Sequence, residues 1–175
     1  LKKLILKKRQ VKKGVTQLLL SGKKRLLGFK EKWETKKFSE VFTFLPTASN
    51  SRDDLSENGD AYYIHYGDIH TKFHNHLDLN NTNLPMIYET KCGNATLVKN
   101  GDWIMADVSE DFEGIGKTIE ISGVEEGKKV IAGLHTFLLR EKSSTFVPGF
   151  KGHLVDLKSL HDEYLRVATG MKVYG

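Results

Sequence analysis

The chain has 175 residues, of which 39% are hydrophobic, which predicts one globular domain with a buried core and a smaller appended segment. Its formal charge of +5 is distributed unevenly: residues 1–37 hold 14 Lys or Arg against two Glu, whereas residues 38–175 hold 13 Lys or Arg against 20 Asp or Glu. The basic excess therefore belongs to the N-terminal arm, and net charge alone does not predict nucleic-acid binding by the remainder.

Cysteine content and hydropathy restrict the class of protein further. Cys92 is the only cysteine, which excludes an internal disulfide and fits a reducing cytoplasm. No apolar run reaches the roughly 18 residues that a membrane span needs, and the apolar part of the N-terminus is too short for a secretory signal. We expect a cytoplasmic protein without a membrane partner. Because residue 1 is not Met, we also expect that the chain starts inside a longer protein.

Residues 1–22 predict a basic amphipathic helix. Apolar side chains recur at spacings of three, four and seven, with Lys on the other faces, at Leu1, Leu4, Val11, Val15 and Leu18. Ser21 and Gly22 are typical of a helix end. Such a narrow stripe requires a partner helix, as in a coiled coil; the alternative is a basic surface helix that lies on its own domain.

The middle of the chain alternates aromatic residues, short strands and polar loops. Phe29 and Trp33 are predicted to be buried anchors, because aromatic side chains contribute large apolar areas to cores. Turn formers and polar residues predict two long loops. In order, the predicted elements are a first core element over 38–44, a loop over 47–60, a strand over 61–66 and a second loop over 70–83.

The stretch from Asn100 to Arg140 predicts three strands, since it contains short apolar runs and alternating Ile residues. They cover 103–105, 119–121 and 130–139. Between the first two, residues 107–117 are too polar and glycine-rich for a core, which predicts a loop that could carry function.

A C-terminal helix is predicted over 154–168, ended by Gly170. The predicted fold class is therefore α+β: a twisted, mostly antiparallel or mixed β-sheet with a C-terminal helix, preceded by an N-terminal basic helix of the coiled-coil type.

Histidines provide the first candidate for chemistry, because imidazoles close in sequence are common ligands of transition metals. His74-Asn-His76 faintly resembles a cupin metal motif, and His135 follows later. Glu89 is too distant to be the carboxylate ligand that this motif requires. A cupin-like metal-binding enzyme using His74, His76 and His135 is the alternative hypothesis; solvated histidines on a polar loop are the simpler interpretation.

No other motif predicts catalysis. Gly114-Ile-Gly-Lys117 lacks the spacing and the Lys-Ser/Thr pair of a phosphate-binding P-loop. Asp107, Glu110, Asp111 and Glu113 share one loop, but nothing pairs them with a nucleophile. The sequence contains no methyltransferase catalytic motif, and it contains no glycine-rich cofactor loop after a strand. We expect no catalytic centre.

Five segments, in their order and spacing, resemble the specificity subunits of type I restriction-modification enzymes. They are Leu18–Phe29 followed by Trp33, Tyr63–Ile69, Gly101–Asp107, Gly114–Lys117 and Val130–His135. By this resemblance, residues 1–22 are the C-terminal part of a conserved spacer helix and residues 28–175 are one target-recognition domain. Residues 171–175 then lead into the next conserved segment. A second spacer helix and a second recognition domain are not in this sequence.

The resemblance implies sequence-specific recognition of one half of a bipartite site in double-stranded DNA. The chain would be non-catalytic, with no cofactor or metal of its own. Methylation (M) subunits using S-adenosylmethionine would methylate adenine, and restriction (R) subunits using ATP and Mg would cleave DNA. The spacer coiled coil would fix the distance between half-sites.

Polar side chains on loops are candidates for contact with base edges, whereas Lys and Arg outside them are candidates for phosphate contact. The predicted base-contacting residues are His70, Thr71, Lys72, His74, Asn75 and His76, followed by Lys91, Asn94, Ser109 and Lys117. The predicted phosphate-contacting residues are Lys23, Lys24 and Arg25. For each of them, simple solvent exposure is the competing interpretation.

Overall fold

The computed structural model describes residues 1–170 and 173–175. The predicted lead-in over 171–175 therefore lies partly outside the described residues. The α-helices are α1 (Lys2–Leu20), α2 (Phe38–Val41), α3 (Tyr66–Thr71) and α4 (Lys158–Val167). The strands are β1 (Phe42–Leu45), β2 (Ala61–Ile64), β3 (Asn75–Asp78), β4 (Met86–Ile87), β5 (Trp103–Ala106), β6 (Thr118–Ser122), β7 (Val130–Ala132) and β8 (Thr136–Glu141). Short 3₁₀ helices cover Arg52–Asp54, Glu89–Lys91 and Lys151–Asp156.

The strands form two mixed sheets. The larger has the order β1-β8-β5-β6-β3, in which β3 pairs parallel with β6 and the other pairs are antiparallel. The smaller has the order β4-β2-β7, in which β2 pairs parallel with β7 and antiparallel with β4. Together with the helices, these sheets confirm the predicted α+β class and its mixed sheet.

The main core lies between the two sheets. The register aligns Ile104 with both Leu138 and Ile119, so their side chains lie on one face of the larger sheet. This face packs with Ile64 and Val130 of the smaller sheet in one buried cluster. Each such side chain, when fully buried, contributes about 1.5–3 kcal/mol. The sheet-to-sheet contact is thus the main source of stability.

The opposite face of the larger sheet forms a second core that includes Trp103 and Leu139. Phe38 at the start of α2 and Leu160 of α4 pack against it. The ring centroids of Phe38 and Trp103 are 6.0 Å apart in a stacked arrangement. The C-terminal helix therefore covers the sheet, as its apolar stripe predicts, but it begins at Lys158, after a 3₁₀ helix, and not at residue 154.

The single strand predicted over 130–139 is wrong, because the chain changes sheets there. β7 ends at Ala132 in the smaller sheet and β8 begins at Thr136 in the larger. His135 has a φ of 56°, and a Cβ on Gly133 would lie 2.1 Å from the Tyr63 ring. Gly133 therefore permits a close crossing that any larger residue would obstruct.

The loop predicted over 70–83 is also wrong in part. It contains the end of α3 and the whole of β3, and Leu77 in β3 is buried in the main core. The polar neighbours of Leu77 are accommodated because they find internal partners. Asn75 donates its side-chain amide to Asp156 Oδ2 at 2.8 Å, and the His76 ring lies 5.0 Å from that of His153.

The first core element predicted over 38–44 consists of a short helix, α2, followed by β1. Phe29 and Trp33 are not the buried anchors that we predicted, since they remain 63% and 49% exposed. Trp33 instead contacts the turn after α1: its ring lies close to Gly22, and the Arg25 guanidinium sits 4.4 Å above its centroid.

The predicted N-terminal helix is confirmed as α1, which ends at Leu20 and has no buried residue. The Gln17 side chain joins α1 to the domain, donating to the Asp156 carbonyl and accepting from the Lys158 N–H at 3.2 Å. The apolar stripe stays exposed, so a partner helix for it remains a prediction. No helix among the described residues has the length and apolar character to cross a membrane.

A buried ionic cluster fixes the 3₁₀ helix at Lys151–Asp156 against the larger sheet. Lys151 Nζ lies 2.9 Å from Glu141 and 3.4 Å from Glu120. Glu120 also accepts the backbone N–H groups of Gly149 and Gly152, at 2.8 and 2.9 Å. Burial alone would raise the pKa of Glu141, but the hydrogen bond from Lys151 and backbone N–H groups lower it overall.

Candidate nucleic-acid interface

The short helix α3 positions the candidate site. It follows β2 directly and is capped by His65, whose Nδ1 accepts the Gly67 N–H at 3.1 Å. Asp68 and Ile69 are buried and anchor the helix against the core. Its other residues line a concave region of the surface, which we call the cleft, and Lys72 immediately after the helix lines a second one, which we call the groove.

The cleft has a volume of about 610 Å³ and lies between α3, the start of β3, the 108–117 loop and the segment before α4. Six of the thirteen predicted DNA-contacting residues line it, from segments distant in sequence: His70, Thr71, His74, Asn75, Ser109 and Lys117. The fold thus brings together the two loops that the sequence identified separately.

Several of these side chains are occupied by internal hydrogen bonds. His70 Nε2 donates to the Val108 carbonyl at 2.8 Å, and Lys117 Nζ donates to the His70 carbonyl. Asn75 is buried, has a φ of 62° and donates to Asp156. These contacts join the walls of the cleft. Thr71 and His74 are exposed; the Thr71 hydroxyl donates to the Gly67 carbonyl at 2.7 Å and can still accept from a ligand, whereas His74 is accessible as donor or acceptor.

The loop over 107–117 is held by its own polar groups and by Tyr174. Ser109 is buried, and its Oγ donates to the Asp111 carbonyl at 2.7 Å and accepts the Asp111 N–H at 3.2 Å. Its backbone pairs with Tyr174 in both directions at 2.8 Å. The Phe112 ring, which is exposed, stacks on Tyr174 at 4.4 Å. The prediction of a loop is confirmed, and Ser109 shapes it from inside.

The rim of the cleft is acidic. Its carboxylates are Glu110, Asp111, Glu113 and Asp156, and its one Lys is Lys117. This charge opposes the entry of phosphates. It is compatible with base edges, because a carboxylate accepts a hydrogen bond from the amino group of cytosine.

The groove lies beyond the C-terminal end of α3 and is open, with a volume of about 720 Å³. Lys72 lines it together with Arg52, a residue that the sequence analysis missed. Both cations contact the buried carboxylate of Asp68, at 2.9 and 3.1 Å. An Arg inside a turn-rich loop gives no local signal, because polar residues are expected there in any case.

The remaining predicted residues lie elsewhere and line neither the cleft nor the groove. His76 is half-buried beside His153 and aligned with Glu120 across the strand pair. Its pKa is lowered, first by burial and then by His153. Lys91 and Asn94 are exposed beyond β4, Lys23 and Lys24 are exposed after α1, and Arg25 covers Trp33.

The metal-binding alternative is wrong for the described residues. Among them, no group of three or more His, Cys, Asp or Glu side chains is placed to hold a metal ion. His135 lies 3.3 Å from Asp107 and packs against Tyr66, while His76 packs against His153. The imidazoles that the cupin-like hypothesis requires therefore have other neighbours.

Comparisons with known proteins show a likeness in fold. No protein-family model matches the chain, and no curated protein matches it. Its structure is similar to the crystal structure of the S subunit of a type I restriction-modification system from M. genitalium, with a TM-score of 0.47 and 10% sequence identity. The match covers 86% of this chain and 33% of that one, so the chain spans about a third of its length.

Proposed function

We propose that the chain is a DNA-specificity module of a type I restriction-modification system and reads one half of a bipartite target. The observation that carries the proposal is the position of α3, which lines the cleft and is followed directly by Lys72 in the groove. Six predicted DNA-contacting side chains converge on the cleft, and two cations line the groove. The order and spacing of the five sequence segments that resemble specificity subunits support the same function.

Base reading in this proposal takes place at the cleft. The exposed side chain of His74 can donate or accept a hydrogen bond at a base edge, and the Thr71 hydroxyl, which donates to the Gly67 carbonyl, can accept one. Glu110 and Glu113 on the rim can accept hydrogen bonds, from cytosine for example. The acidic rim keeps the phosphate backbone away from the cleft, so discrimination there depends on the bases.

The chemistry of modification and cleavage belongs to companion subunits in this proposal. A methylation subunit would bind S-adenosylmethionine and methylate adenine, and a restriction subunit would use ATP and Mg²⁺. The exposed apolar stripe of α1 would pack against a second spacer helix. The module itself would supply sequence selectivity and no catalytic group.

The test is selection of duplexes from a random DNA pool by the chain assembled with its methylation subunit. We expect enrichment of one short, constant sequence. The His74→Ala and Thr71→Ala variants should relax the preference at particular positions, by about 1–3 kcal/mol of discrimination per lost contact. A pool that stays random after repeated selection, with a folded and assembled chain, would refute the proposed function.

A further inference from the structure

Asp68 organises a charged cluster at the edge of the groove. Its side chain is 1% exposed, and its Oδ1 accepts from Lys72 Nζ at 2.9 Å and from Arg52 Nη2 at 3.1 Å. The Lys72 and Arg52 side chains are 59% and 50% exposed. Because the anion is buried and both cations face solvent, the surface presents a net positive charge to a ligand.

His65 holds the Arg52 guanidinium from a second direction. His65 Nδ1 lies 3.2 Å from Arg52 Nη2 and accepts the Gly67 N–H, so this nitrogen carries no proton. The pKa of His65 is lowered, first by burial and then by Arg52, which favours the neutral ring. Arg52 therefore has an acceptor in His65 as well as in Asp68.

The space around Arg52 is narrow. A Cβ on Gly67 would lie 3.2 Å from Arg52 Nη2 and 3.3 Å from His65 Nδ1. The guanidinium is thus confined by Gly67 and oriented by two acceptors. A side chain ordered before binding loses less conformational entropy when it contacts a ligand. The Arg52 guanidinium is therefore a planar donor that is preorganised for contact with an anion.

The groove supplies further groups that suit an anion. Tyr62 and Asn83 line it and can donate hydrogen bonds, and Glu57 is its one acidic residue. Lys128 Nζ lies 5.1 Å from the Tyr62 ring centroid and adds a cation nearby. The charge of the groove is therefore opposite to that of the cleft. The groove therefore suits the phosphates of a duplex, whereas the acidic cleft suits the base edges.

We propose that Arg52 and Lys72, oriented by Asp68, bind the phosphodiester backbone of duplex DNA in the groove, and that Asp68 is their positioning residue. This inference rests on the proposed function and assigns Lys72 to the phosphates instead of the bases. Phosphate contacts fix the orientation of a protein on the duplex without reading sequence. The groove would therefore set how the cleft meets the base edges.

The test measures binding of the assembled chain to its selected target and to a scrambled duplex across a series of KCl concentrations. Arg52→Gln and Lys72→Gln should each reduce the log–log salt slope by about 0.9, which is about an eightfold loss of affinity at 0.1 M salt. The loss should be equal for both duplexes. Lys99→Gln removes an exposed Lys outside the groove and is the matched control; we expect an unchanged slope.

Asp68→Asn separates positioning from net charge. The substitution makes the protein more positive, so charge alone predicts tighter binding. Loss of positioning predicts weaker binding to both duplexes, and this is the result that we expect. Circular dichroism confirms that the variant is folded. Arg52→Lys, which retains the charge without the planar fork, should fall between wild type and Arg52→Gln.

The possible results separate this inference from the proposed function. If the wild type selects a target but neither Arg52→Gln nor Lys72→Gln changes the salt slope, the phosphate contact is refuted and the proposed function stands. If Lys72→Gln relaxes the preference at one base position, Lys72 reads a base and the inference is wrong. If the wild type binds all duplexes alike, the proposed function is refuted, and the phosphate contact stands only if Arg52→Gln and Lys72→Gln still reduce the salt slope.

Discussion

Lys151 offers the most direct test of how the 3₁₀ helix before α4 is held to the larger sheet. Its side chain is 3% exposed and lies between Glu120, 4% exposed, and Glu141. We predict that Lys151→Met destabilises the fold strongly. The substitution preserves much of the apolar length of the side chain but leaves two carboxylates that face each other without their cation.

The expected loss follows from the burial of Glu120. Removing one partner of a buried ion pair costs about 3–5 kcal/mol, because the remaining charge is uncompensated. A chain of this size loses about 2–4 °C in melting temperature per kcal/mol, so the melting temperature should fall by about 6–20 °C. The two backbone N–H groups that Glu120 accepts favour the lower end of this range.

The assay is chemical and thermal unfolding followed by circular dichroism. Lys158→Met is the matched control, because Lys158 pairs with Asp162 on the surface and its loss should change stability by less than about 1 kcal/mol. The double variant Lys151→Met with Glu120→Gln should recover part of the loss, since the uncompensated charge is removed. A Lys151→Met variant as stable as the Lys158→Met control would refute this reasoning.

Three further predictions concern pH, a glycine and the N-terminal helix. The pKa values of His65 and His76 are lowered in the fold, chiefly by burial, so the unfolded chain binds more protons below the ordinary value of 6.5. The free energy of unfolding, measured in urea, should therefore decrease from pH 7 to pH 5; a constant or rising value would contradict this. Gly133→Ala should cost about 1–3 kcal/mol in thermal unfolding, because its Cβ meets the Tyr63 ring, whereas an unchanged melting temperature would show that the ring moves aside at no cost. Leu4→Glu on exposed α1 should alter stability by less than about 0.5 kcal/mol in the same assay, and a large loss would show that the stripe is packed.

The elements with strong periodicity could be predicted from the sequence. The apolar stripe that begins at Leu1 predicted α1, and the apolar run at Trp103 predicted β5. Both signals are local, since each depends on a few neighbouring residues. The C-terminal helix was predicted for the same reason, although its first turns are a 3₁₀ helix fixed by the distant pairing of Lys151 with Glu120.

The errors arose where tertiary contacts override local pattern. β3 was missed because Asn75 and His76 are polar, and their partners Asp156 and His153 are about 80 residues away in sequence. The break at Gly133 was missed because an apolar run conceals a change of sheet. Local composition carries no information about either contact.

At the candidate site too, local features could be predicted from the sequence, whereas tertiary contacts could not. Sequence reasoning selected the two polar segments that meet in the cleft, because such residues on loops are accessible to ligands. It could not distinguish His74, which is exposed, from Asn75, which is buried. It also could not find Arg52, whose role depends on the carboxylate of Asp68, 16 residues later.

The attachment of α1 through Gln17 makes the helix a lever. A helix of 19 residues is about 28 Å long, and Gln17 holds it near one end. The far tip is about 22 Å from that residue, so a pivot of about 10° there would carry it through about 4 Å, which exceeds the roughly 3.4 Å rise of one base pair. In a reader of split targets, the stiffness of the contacts at this end of the helix, from Gln17 and from Trp33 on Phe150, would decide how faithfully the spacing between the halves is kept.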